Sequence, residues 1–133
     1  MFEKVIEKFD EDKFYLFNSL LESNQFAHSD NITHYYEFIS WATKPSRSFL
    51  DEDVQFSFLY FICEFEKVLD FIDNNFFYNN DVADGIVFLA PHFKSDKYDK
   101  YRELREHLYK LCEDLKYYYE NFSNQAKKRI FLR

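Results

Sequence analysis

A chain of 133 residues, 47% of them hydrophobic, is long enough to bury one core of its own and too apolar for wholesale disorder. One glycine and two prolines leave too few turn-making residues for a β-rich domain, and they exclude a glycine-rich phosphate loop. The net charge of −7 repels nucleic-acid phosphates and attracts basic partners, although acidity also serves solubility alone.

The acidity is uneven. Residues 1–90 hold 17 Asp and Glu against 6 Lys and Arg, a balance of −11, whereas residues 91–133 hold 7 against 11, a balance of +4. Aromatics reach 23%, and tyrosine suits interfaces as well as cores because one end is apolar and the other wet. The opening Met1-Phe2-Glu3-Lys4 has no apolar signal-peptide core, and charges interrupt every apolar stretch before the ~18 residues of a membrane span. The expectation is a cytoplasmic chain forming a single domain over residues 1–133, with no membrane contact.

In chain order, Val5, Ile6 and Phe9 begin an apolar helical stripe that runs on through Phe14, Phe17, Leu20 and Leu21. Alternatively, the acidic run Asp10-Glu11-Asp12 caps a separate helix starting there. Asp30 or Asn31 is positioned to cap a next helix with Tyr35, Phe38, Ile39 and Ala42 on its inner side. Residues 43–48 read as a loop broken by Pro45. Asp51-Glu52-Asp53 then places negative charge at a helix start, where the macrodipole favours it. Over residues 51–73, Val54, Phe58, Phe61, Ile62, Phe65, Val68, Leu69 and Ile72 recur at three- and four-residue spacing. Phe56, Leu59, Tyr60 and Cys63 widen that surface, which predicts a central helix packed on several sides.

Beyond an aromatic knot, Phe76-Phe77-Tyr78, the run Ile86–Ala90 sits between Gly85 and Pro91. That run fits a buried strand or a helical turn, and with no evident second strand to pair with, residues 81–93 read as helical or irregular. Ser95 and Asp96 open a long final helix over residues 95–122, with Tyr98, Tyr101, Leu104, Leu108, Leu111, Leu115, Tyr118 and Phe122 as its stripe. The basic tail from Lys127 docks against or extends that helix. The fold class expected is all-α: a compact bundle of four to six helices.

Chemistry-bearing residues are sparse. Cys63 and Cys112 lie in separate apolar patterns and read as buried, reduced hydrophobes. His28, His34 and His92 have no metal-ligand spacing, so neither a metal nor a cofactor is expected. One stretch stands apart, Arg102-Glu103-Leu104-Arg105-Glu106-His107-Leu108-Tyr109. Its spacing, Arg102-x4-His107-x-Tyr109, resembles the signature of HEPN-domain proteins, small all-α domains of which many are ribonuclease toxins. The resemblance implies metal-independent RNA cleavage, with His107 in proton transfer and Arg102 stabilising charge on the phosphate. On an ideal helix, positions five apart differ by about 140°, so uniting Arg102 with His107 requires a distortion or a partner helix. The alternative is that Arg102, Arg105 and Tyr109 form a solvated or partner-facing surface and that His107 packs at the stripe edge.

The acidic clusters suggest a binding surface. Asp51, Glu52 and Asp53, together with Asp81 and Asp84 flanking Phe76, Phe77 and Tyr78, would suit a basic protein: aromatics anchor it and carboxylates speed encounter. Capping and core burial account for the same residues without any partner. In its acidity, small size and abundance of Tyr and Phe the chain resembles small bacterial immunity proteins. That resemblance implies a non-enzymatic inhibitor masking a cognate basic toxin, such as a nuclease.

Overall fold

The computed structural model describes residues 2–44, 48–78, 85–89 and 98–131. In chain order these form α1 (Phe2–Lys8), α2 (Glu11–Asn24), β1 (Phe26–His28), α3 (Ser29–Ala42), α4 (Glu52–Asn75), β2 (Phe76–Tyr78), β3 (Ile86–Leu89) and α5 (Tyr98–Ala126). The last helix runs on into a π-helical turn, Lys127–Phe131. The protein is therefore mostly helical but not all-α.

The exception is a three-stranded antiparallel sheet in the order β1-β3-β2. Its central strand is Ile86–Leu89, the run expected to be helical or irregular. Its partners are Phe26–His28 and the aromatic knot itself, with Ala27 opposite Val87 and Phe77 opposite Phe88. Outer strands of three residues are too short to display the alternation that marks a strand in sequence. The one glycine serves this sheet: Gly85 has φ +74, a conformation that L side chains rarely adopt, and its carbonyl accepts the Ser29 N–H at 2.8 Å. That bond settles where α3 begins. The helix starts at Ser29, with His28 at the cap position and no side-chain cap, rather than at Asp30 or Asn31.

Elsewhere local caps suffice. Asp10 accepts the Lys13 N–H at 3.0 Å, so the acidic run does start a separate helix. Asp51 accepts from both Asp53 and Val54 at the head of α4. Pro45, Asp81, Asp84, Pro91, His92, Ser95 and Asp96 lie outside the described residues.

The core is aromatic. Phe9, Phe14, Phe61, Phe65, Tyr119 and Phe122 meet where α2, α4 and α5 converge, with Phe14 and Tyr119 centroids 4.9 Å apart and Phe61 and Tyr119 5.2 Å apart. Full burial of each such side chain is worth about 1.5–3 kcal/mol, and tilted pairs add to this. Along α5 the buried positions are Tyr101, Leu104, Leu108, Cys112, Leu115, Tyr119, Phe122 and Ala126, whereas Leu111 and Tyr118 are only partly buried. The true stripe is thus turned by one residue at two points from the expected one.

Helix α4 departs from expectation on one side. Val54, Phe58, Phe61, Ile62, Phe65, Val68 and Leu69 are buried as the spacing predicts. Phe56 (60% exposed), Leu59 (38%), Tyr60 (61%) and Cys63, however, face outward. Neighbours cover the inner side of α4 only. Periodicity reports which residues share a face, not whether a neighbour covers that face, and so Cys63 is not the buried hydrophobe expected.

Candidate functional site

Where α4 ends and the sheet begins, Ser29, Ile32, Thr33 and Tyr36 of α3 face Ile72 and Asp73 of α4, Phe76 and Tyr78 of β2, and Val87 of β3. Together they line a cavity of about 170 Å³. The site exists because α4 turns directly into β2: the Phe76 N–H still bonds the Ile72 carbonyl while Phe76 itself is already extended. Tyr78 is 63% exposed and Tyr36 39% exposed at the rim. Partial burial pushes the Tyr36 phenol pKa up, and the Asp70 and Asp73 carboxylates push it further, so the hydroxyl stays protonated. Three aromatic rings, the Asp73 carboxylate and the Ser29 and Thr33 hydroxyls make a recess that can take a cationic group. Its volume is below that of ordinary small-molecule pockets and suits a single side chain.

A larger cleft of about 480 Å³ lies between the start of α2 and α5, lined in part by Glu7, Asp10, Glu11, Asp12 and Tyr119. Two of its four carboxylates already have work within the fold. Asp10 caps α2, and Glu11 accepts the Tyr119 hydroxyl at 2.9 Å.

The residues singled out from sequence fall in several places. Tyr78 lies on an outer strand at the cavity rim, its neighbour Phe77 (48% exposed) points to the other face of the sheet, and Phe76 is 7% exposed and packs against Phe71, so it is no surface anchor. Asp51, Glu52 and Asp53 lie at the opposite end of α4, about 36 Å away at 1.5 Å per residue. They do not share a compact surface with Phe77 and Tyr78. Arg129 lies 3.5 Å from Asp51 and 2.6 Å from Asp53. The Asp51 carboxyl is held below its usual range, first by the Val54 N–H and then by Arg129. Tyr36, Asp70 and Asp73 were not legible as site residues, because nothing in the sequence says that α3 meets the end of α4.

The Arg102–Tyr109 stretch sits within α5 with all three motif side chains exposed. Arg102 pairs with Glu106 at 3.9 Å, and the Tyr109 hydroxyl donates to Glu113 at 3.0 Å. The His107 ring stands edge-on to Phe71, 5.2 Å between centroids. The three are not gathered within one copy of the chain. Among the described residues no group of three His, Cys, Asp or Glu could hold a metal ion, and no helix is long and apolar enough to cross a membrane.

Comparison with protein families, with curated proteins and with solved structures returns no match.

Proposed function

We propose that this chain is a non-enzymatic binding protein for a basic protein partner, of the immunity or antitoxin type, which masks a toxin such as a nuclease. The observation that carries the reading is the cavity at Tyr36, Asp73 and Tyr78, with both tyrosines exposed at its rim and Asp70 close to Tyr36. A lysine or arginine of the partner enters it against the aromatic rings and the Asp73 carboxylate, the rim tyrosines supply apolar contact, and the acidic balance of residues 1–90 speeds encounter. Inhibition is then steric and electrostatic, with no bond made or broken.

The experiment is a titration of the purified chain, at moderate salt, against basic toxin domains encoded by neighbouring genes. Micromolar or tighter binding is expected, weakened at least about tenfold by Asp73→Lys or Tyr78→Ala, a loss typical of an anchoring contact. No binding, or binding indifferent to both substitutions, sinks the proposal. The ribonuclease reading has less support, because Arg102 and His107 project about 140° apart along α5 and Arg102 is engaged with Glu106.

A further inference from the structure

The outward face of α4 presents Phe56, Leu59, Tyr60 and Cys63 as one continuous exposed stripe, since residues three and four apart share a helix face. Tyr60 carries it onto α5 by stacking on Tyr118 at 6.0 Å, and Tyr117, 64% exposed, adjoins Tyr118 at 5.2 Å. Contiguous apolar surface of this kind marks an interaction site.

The charges on the stripe indicate the occupant. Glu52 stands exposed at one end, and Lys67, the one basic residue of α4, stands at the other with its side chain 61% exposed. Glu52 and Lys67, Phe56 and Cys63, and Leu59 and Tyr60 are each placed symmetrically about the peptide joining Leu59 to Tyr60. Turned end for end, the stripe complements itself: acid meets base at both ends, and apolar side chains meet in between. We infer that α4 is the contact for a second copy of this chain, the two helices antiparallel about a two-fold axis near Leu59 and Tyr60. In such an isologous contact every favourable pair occurs twice. Lys67, already 2.8 Å from its own Glu64, gains the partner's Glu52 as a second carboxylate. The contact is centred roughly 20 Å along the helix from Asp73, so it leaves the cavity free, and it stands or falls independently of the proposed function.

Light scattering of the full chain over a concentration series tests the inference. The average mass is expected to climb from 16.4 kDa toward twice that value. Phe56→Asp is expected to hold it at the monomer value with unchanged circular dichroism, because Phe56 is not part of the core. Glu52→Lys and Lys67→Glu, each placing like charges together, are expected to weaken the dimer severalfold, and the double variant to restore it. A chain that stays monomeric at millimolar concentration, a Phe56→Asp variant that still dimerises, or a double variant no better than the singles overturns the inference. So does a monomeric wild type whose capture of a basic toxin domain is abolished by Phe56→Asp, which would assign the stripe to a foreign partner.

Discussion

The Arg129 guanidinium, in the π-helical turn that ends the described chain, lies 2.6 Å from the Asp53 carboxylate in the first turn of α4. The contact ties the basic tail to an acidic helix start, and it also places a positive charge where α4's own dipole favours negative partners. Both side chains are substantially exposed, so salt screens the pair. Arg129→Ala is expected to lower the melting temperature by a few degrees at low salt and by almost nothing in molar salt. Thermal melts at the two salt levels check this.

Phe61 and Phe56 stand five residues apart on the same helix with opposite fates. Phe61 is fully buried among Phe9, Phe14, Phe65, Tyr119 and Phe122, and Phe56 is 60% exposed. Phe61→Ala is expected to cost about 3–5 kcal/mol, enough to threaten folding, because a cavity replaces a packed ring. Phe56→Ala measured as dilute monomer should stay within about 0.5 kcal/mol of wild type. Urea denaturation of the two variants discriminates the inner from the outer face of α4.

At the seam of α2 and α5, burial raises the Glu22 carboxyl pKa. Charge repulsion from the neighbouring Glu113 carboxylate raises it further, against a smaller opposing pull from Lys116. Tyr109 and buried Cys112 of α5 also face this group. A carboxyl whose folded pKa is raised contributes most to stability below its unfolded value, near 4.5, and loses that contribution as pH climbs through the folded value. Glu22→Gln is therefore expected to raise the urea midpoint at pH 7 relative to wild type and to have little effect near pH 4. An equal shift at both pH values would show that the carboxyl pair is not the cause.

Purified protein is expected to leave RNA intact with no metal added, and expression is expected to leave growth unchanged. His107→Ala should alter neither, since its ring only rests against Phe71. Cleavage by wild type that both His107→Ala and Arg102→Ala abolish would replace the binding reading with the nuclease one.

Much of the helical framework was legible in the sequence because its causes are local. The caps at Asp10 and Asp51 need only a side chain and the N–H groups a turn away. The three- and four-residue spacing from Val54 to Ile72 needs only helix geometry to define one face, and the scarcity of glycine and proline limits the number of turns. Those terms determined that the chain is mostly helical, that α4 and α5 are its longest elements, and that acidic and aromatic residues dominate its chemistry.

Tertiary structure decided the rest, since the decisive interactions join residues far apart in the chain. β3 is a strand only because Phe26–His28 and Phe76–Tyr78 arrive on either side to bond its backbone. Its ladder cannot be read from four apolar residues alone. The same holds for the cavity: Tyr36 and Asp73 become neighbours through the packing of α3 on the end of α4. Which of two apolar faces of α4 is covered is likewise a matter of where α5 docks. Burial is a property of the neighbour as much as of the side chain, and so the sequence named Phe56, Tyr60 and Cys63 as apolar while only the fold placed them in solvent.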